Sequence, residues 1–115
     1  MTIERHENGE RFCRVLSHNG TVYLAGMTAD DLSGDTADQT KQVLSKIDHY
    51  LALAGTSKTK ALSAVIWLSD INDFDQMNQV WDQWVDHSAM PVRATVEARL
   101  AGEGYRVEIM VTAGM

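Results

Sequence analysis

Between positions 91 and 109 the chain reads PVRATVEARLAGEGYRVEI, an alternation that gathers Arg93, Thr95, Glu97, Arg99, Arg106 and Glu108 on the polar side of two predicted strands. An arginine offers a planar fork that grips a carboxylate at two points, and a glutamate can hold and deprotonate a water. Together they are the least equipment needed to hydrolyse a polar bond in a small acid. If residues 101–104 form the hairpin loop, Arg93 faces Thr112, Thr95 faces Met110 and Glu97 faces Glu108. Two opposed carboxylates disfavour each other unless a cation, a proton or a hydrogen-bonded water lies between them. In this register four strand steps, about 13 Å at ~3.3 Å per residue, separate Arg93 from Glu97 and its neighbour Glu108. Arg93 and Glu108 then meet around one ligand only in a different register or from different chains. On spacing alone the plainer reading, a solvated face with ordinary surface pairs, is preferred.

Other chemistries have less to stand on. The chain contains no P-loop, no dinucleotide fingerprint and no HExxH motif. His6, His18, His49 and His87 show no metal-ligand spacing among themselves or with Cys13, so neither a metal nor a cofactor is expected. Cys13 in a predicted strand reads as a small apolar residue, and nothing near it would lower a thiol pKa. Asp70, Asn72, Asp73 and Asp75 lack the continuation of a calcium loop and read as a strand-to-helix turn. Trp67, Trp81 and Trp84 read as core rather than as a stacking platform for bases.

The elements that must position Arg93 and Glu108 follow from periodicity. His18-Asn19-Gly20 separates two alternating runs, 11–17 and 21–27, which is a hairpin signal because both Asn and Gly tolerate positive φ. Gly26 interrupts the second run, where a glycine marks either a kink or a close backbone approach. Thr36 with Gln39 fits a capping box. The helix it opens carries the stripe Val43, Ile47, Tyr50, Leu51 and Ala54 and stops at Gly55, and residues 58–60 form a connecting loop. Residues 61–69 read as a central strand with Leu62, Ala64, Ile66 and Leu68 on one face. Asp73 then opens a second helix with the stripe Phe74, Met77, Trp81, Trp84 and Val85, which ends before Pro91.

The result is one α+β domain over 1–115, in the order ββαβαββ, with both helices on one face of the sheet. The other face is left bare and calls for charge or an oligomer contact. At 115 residues the chain is the size of a single core, and no apolar run is long enough to cross a membrane. The absence of a signal-like segment and the lone cysteine imply a cytoplasmic protein. A net charge of -6, with no basic run, argues against nucleic acid and against an anionic membrane surface.

The stretch Pro91-Val92-Arg93-Ala94-Thr95-Val96, followed fifteen residues after Arg93 by Glu108 in Val107-Glu108-Ile109, resembles the C-terminal signature of the RidA (YjgF-like) reactive-intermediate deaminases. The resemblance extends through Asn19-Gly20, Val22 to Gly26, Leu53-Ala54-Gly55, Ser69 to Phe74, Met77-Asn78 and Trp81, and is closest to a YoaB-like branch. It implies a homotrimer of chorismate-mutase-like subunits with ligand clefts between neighbours, which would occupy the bare face. The implied activity is cofactor-free hydrolysis of small enamines and imines, such as 2-aminoacrylate, to 2-oxo acids and ammonia. Arg93 matches the residue that clamps the substrate carboxylate, Glu108 the acid that holds the attacking water, and Asn78 an asparagine at the cleft. Phe12 falls where the archetype has a tyrosine, Ala25 where it has a serine and Thr95 where it has a cysteine, so with Gly26 these positions line a less polar cleft. A trimer that binds small carboxylates without hydrolysing anything is the alternative. The ribonuclease activity ascribed to some relatives is disfavoured by the acidic charge and the lack of a basic groove.

Overall fold

The computed structural model describes residues 2–115. Six strands and two helices follow in the order β1 (Glu4–Asn8), β2 (Cys13–His18), β3 (Thr21–Leu24), α1 (Thr36–Leu53), β4 (Ala61–Leu68), α2 (Phe74–Trp84), β5 (Val92–Glu97) and β6 (Val107–Gly114). All six strands form one sheet in the order β1-β2-β3-β6-β4-β5. The expected α+β architecture holds, with one strand more than periodicity indicated. β1, the sequence ERHEN, has no residue pattern of a buried strand and gains its place by antiparallel pairing with β2.

The β2–β3 turn forms as expected, with Asn19 at φ 54° and Gly20 at φ 77°. Gly55, at φ 86°, ends α1, and Thr56 N–H donates back to Leu51 O. The start of α1 differs from expectation by one residue. Asp35 is the N-cap and exchanges hydrogen bonds with Asp38, while Thr36 donates its hydroxyl to Asp73 Oδ2 at 2.8 Å. A carboxylate at this position suits the positive end of the helix, which frees Gln39 for another task. Residues 58–60 form a short 3₁₀ turn, and Asp70 caps a second such turn, residues 71–73, that leads into α2.

The expected β5–β6 hairpin does not form. β4 pairs in parallel with β5 on one side and antiparallel with β6 on the other, so Arg93 sits beside Ala64, Thr95 beside Ile66, Glu97 beside Leu68 and Glu108 beside Trp67. The physical reason is burial. Val107, Ile109, Val111 and Ala113 of β6 are almost wholly enclosed, and a strand so apolar on one face belongs in the middle of the sheet. β5 offers Arg93, Thr95 and Glu97 to that same face and takes the edge. Glu97 and Glu108 therefore never oppose each other, and the Glu97 carboxylate accepts a hydrogen bond from Ile71 N–H.

Both helices cover one face of the sheet. The core between the layers includes Val15, Val22 and Leu24 from β2 and β3, Ala64, Ile66 and Leu68 from β4, and Val43, Ile47, Leu51, Met77 and Trp81 from the helices. Leu62, expected to point inward with Ala64, is instead exposed, because the β4–β6 register shifts between Ala61 and Ser63. On the opposite face no helix lies, and Tyr23, Met110, Val92 and Val96 are exposed there. Among the described residues no helix is long and apolar enough to cross a membrane.

Candidate active site

Strand alternation decides which sequence-predicted residues can meet. Arg93 and Thr95 share the face of Ala64 and Ile66, under the helices; Glu108 shares the opposite face with Trp67 and Val65. Their rows lie three residues apart along β4, roughly 10 Å at ~3.3 Å per residue. Within one chain the two side chains therefore stand on opposite sides of the sheet, and the candidate residues divide into two groups.

The first group is built on β5 and α2. Arg93 Nη1 donates to Asn78 Oδ1 at 2.8 Å, and its Cζ lies 5.2 Å from the ring centre of Trp81 and 5.8 Å from that of Phe74. Phe74, Asn78 and Trp81 follow at i, i+4 and i+7, so one helical stripe presents two aromatic rings and one amide to the same guanidinium. Burial pushes the Arg93 pKa below its ordinary value and the nearby Asp82 carboxylate opposes that, but arginine starts so high that it stays charged through neutral pH. Among the described residues Arg93 makes no ion pair. Its direct hydrogen-bond partner is a neutral amide, so its charge and remaining donors are available to an anion. Asn78, Trp81, Asp82, Met90, Pro91 and Arg93 together line a cavity of about 300 Å³. Thr95 Oγ1, two residues along the same face, is buried without a hydrogen-bond partner.

The second group is built where the extension of β3 meets β6. Met27 N–H donates to Ile109 O at 2.9 Å and Ile109 N–H returns to Met27 O at 3.1 Å, which sets Gly26 against the neighbouring Glu108. A Cβ on Gly26 would collide with Glu108 Oε2 and stand 3.1 Å from its Cδ. Of the two sequence readings of Gly26, close approach is the one realised, and what approaches is the proposed water-holding carboxylate. Ala25, just before it, is half-buried, and its N–H donates to Arg14 O at 2.9 Å. Phe12 precedes β2 and is 55% exposed, with the Arg14 guanidinium 5.5 Å from its ring centre.

Glycine at position 26 thus leaves room for the carboxylate. Gly26→Ala is expected to fold, because the clashing atoms are the far end of a flexible side chain, but to turn Glu108 aside. Misplacement by about 1 Å can cost on the order of 100-fold in rate. Turnover measured beside the thermal midpoint checks this: unchanged turnover would mean that the Glu108 position is immaterial.

Sequence reasoning named Arg93, Asn78, Thr95, Glu108, Gly26, Ala25 and Phe12; the structure sets Arg93, Asn78 and Thr95 in the first group and Glu108 against Gly26, beside Ala25, in the second, while Phe12 contacts Arg14 and neither group. It missed Phe74 and Trp81 as partners of Arg93 and assigned both only to the core. The available signal was Asn78, a polar residue set into the apolar stripe between them.

One sheet with two helices on a single face, an arginine hydrogen-bonded to a neutral amide beneath one helix and a glycine-backed glutamate on the bare side define an α+β protein of the chorismate-mutase-like kind. The chain belongs to the RidA (YjgF-like) family: the family model described as Endoribonuclease L-PSP matches residues 2–115. It is similar to the RutC family protein YoaB of Escherichia coli, 41% identical over 115 residues and the full length of both chains. A YjgF-family structure from Neisseria meningitidis superimposes with a TM-score of 0.96 at 42% identity, covering 99% of this chain and 95% of that one. More distantly, a bovine 2-iminobutanoate/2-iminopropanoate deaminase is 35% identical over 95 residues, 77% of this chain and 69% of the relative.

Proposed function

We propose that this protein is a cofactor-free hydrolase of small 2-imino acids and their enamine tautomers, working in the cytoplasm as a homotrimer whose clefts take Arg93 from one subunit and Glu108 from the next. The observation that carries this reading is the state of Arg93: set over two aromatic rings, hydrogen-bonded to a neutral amide and, among the described residues, in no ion pair. A guanidinium held in this way is suited to clamp a substrate carboxylate. The opposite-face placement of Arg93 and Glu108 favours a site completed by a second copy. So does the helix-free sheet face with Tyr23, Val92, Val96 and Met110 exposed, since apolar surface of this kind is suited to contact between chains.

The chemistry asks little of the protein. An enamine gains a proton at carbon and loses one from nitrogen to become the imine, whose carbon is already electrophilic. Water adds there: its oxygen bonds to carbon, and Glu108 receives one of its protons and passes it to nitrogen, giving a carbinolamine; the remaining hydroxyl proton then moves to nitrogen by way of the same carboxylate as the C–N bond breaks, leaving the 2-oxo acid and ammonia. No electrons are exchanged with any other reagent. Orientation of the carboxylate and one positioned water supply the acceleration.

A second reading, binding of small carboxylates without turnover, is favoured by Phe12 and Ala25, which place no hydroxyl near Glu108. Nuclease action has little support from a chain of net charge -6. The deciding experiment generates 2-aminoacrylate with a dehydratase and follows its decay with and without the protein. Acceleration by catalytic amounts supports hydrolysis. Binding of 2-oxobutanoate without acceleration supports the second reading instead.

A further inference from the structure

Apart from the two groups already described, a concavity of about 780 Å³ opens at the end of the sheet within the loop 98–106, lined among others by Ser69, Glu97, Arg99, Tyr105 and Arg106. This loop is firmly tied. Ala98 N–H donates to Leu68 O at 2.9 Å. Gln39, wholly buried in α1, donates from Nε2 to Gly104 O at 2.8 Å and accepts at Oε1 from Arg106 N–H at 2.9 Å. Such a wall is formed before any ligand arrives, which lowers the ordering cost of binding.

Just past the last β4–β6 pair, Leu68 and Val107, Ser69 N–H donates to Arg106 O at 3.1 Å, while Arg106 N–H turns to Gln39. Arg106 lines the concavity two residues before Glu108, about 7 Å along an extended backbone. Among the described residues the one ion pair is Lys46 with Asp30, so neither Arg106 nor Arg99 is neutralised by a carboxylate. The acidic groups in the lining are Glu97, whose carboxylate is engaged by Ile71 N–H, and Glu103, exposed on the loop.

We propose that this concavity is a subsite for the far end of the ligand, and that Arg106 and Arg99 make it selective for a second carboxylate. The preferred ligands are then dicarboxylic 2-imino and 2-oxo acids of four or five carbons. This rests on the proposed function, in which Arg93 of a neighbouring subunit holds the first carboxylate and Glu108 faces the adjacent carbon. A guanidinium fork suits the second carboxylate for the same reason that it suits the first.

Calorimetric titration of the intact protein with 2-oxoglutarate and with 2-oxobutanoate, at one ionic strength, tests this. The dicarboxylate is expected to bind tenfold or more tightly, about 1.4 kcal/mol. Arg106→Gln is expected to bring the ratio of affinities close to one, and Arg106→Lys to restore part of it. The Arg106 side chain is exposed, so both variants should unfold at the wild-type temperature. A wild-type ratio near one, or a ratio unchanged by Arg106→Gln, overturns the subsite and leaves the proposed function standing. Failure of the wild type to bind either acid or to hydrolyse any imine overturns both.

Discussion

Arg93→Ala is expected to lower kcat/KM for imine hydrolysis by roughly 30- to 1,000-fold, corresponding to about 2 to 4 kcal/mol for removal of one member of a desolvated charge pair. Most of the loss should appear as a raised KM, because the guanidinium binds a carboxylate present in substrate and transition state alike. Arg93→Lys should recover little. A lysine carries the charge, but it cannot present a planar fork from a position over the Trp81 and Phe74 rings with one donor held by Asn78. The fold should survive, since β5 is an edge strand and the cavity beside Arg93 admits water. Steady-state kinetics on 2-aminoacrylate, read beside a thermal unfolding curve, distinguish the two effects. A loss smaller than threefold would show that the clamp is elsewhere.

Glu108→Gln should act on the other kinetic parameter. The amide keeps the shape of the side chain and its packing against Gly26, but it cannot take a proton from water. General-base catalysis of this kind contributes on the order of 100- to 10,000-fold. A fall in kcat of at least 100-fold is expected with KM changed little, and 2-oxobutanoate should still bind. If kcat held while KM rose, Glu108 would be a binding group and the water would be activated by some other residue.

Local chemistry made much of the fold readable in advance. Asn19-Gly20 demands a tight turn, Gly55 a left-handed stop, and the stripes along α1 and α2 a buried face, and each of these signals lies within a few neighbouring residues. What could not be read was strand order. The hairpin drawn through residues 101–104 seemed natural because β5 and β6 are consecutive, yet β6 inserts between β3 and β4 and leaves β5 on the far side of β4. Only the competition among strands for the central place decides this, and it depends on residues far apart in the chain. β1 was missed for a related reason: ERHEN is held by backbone pairing to β2 and has almost no burial to leave a pattern.

The candidate residues were legible as types and not as an arrangement. Arg93 and Glu108 stood out in the alternation of residues 91–109 and Asn78 entered with the family resemblance, but the register that brought Glu97 against Glu108 was an artefact of the assumed hairpin. Thr36 and Gln39 show the same limit on a smaller scale. Both fit a capping box, but Asp35 takes the cap, and the Gln39 side chain reaches 65 and 67 residues along the chain to hold Gly104 and Arg106.

The proposed sharing of one cleft between two subunits, Arg93 from one and Glu108 from the next, has a genetic corollary. Two inactive alleles, one encoding Arg93→Ala and the other Glu108→Gln, should complement each other when expressed in the same cell. In a closed ring of mixed subunits, about one interface in four joins an intact Glu108 from the first product to an intact Arg93 from the second. Co-expressed or refolded mixtures should therefore regain close to a quarter of wild-type turnover, whereas separately assembled proteins combined afterwards should regain none until they exchange subunits. Neither mutation alone would be dominant over the wild-type allele beyond gene dosage, since each defective subunit silences one cleft and still completes the other with its intact residue.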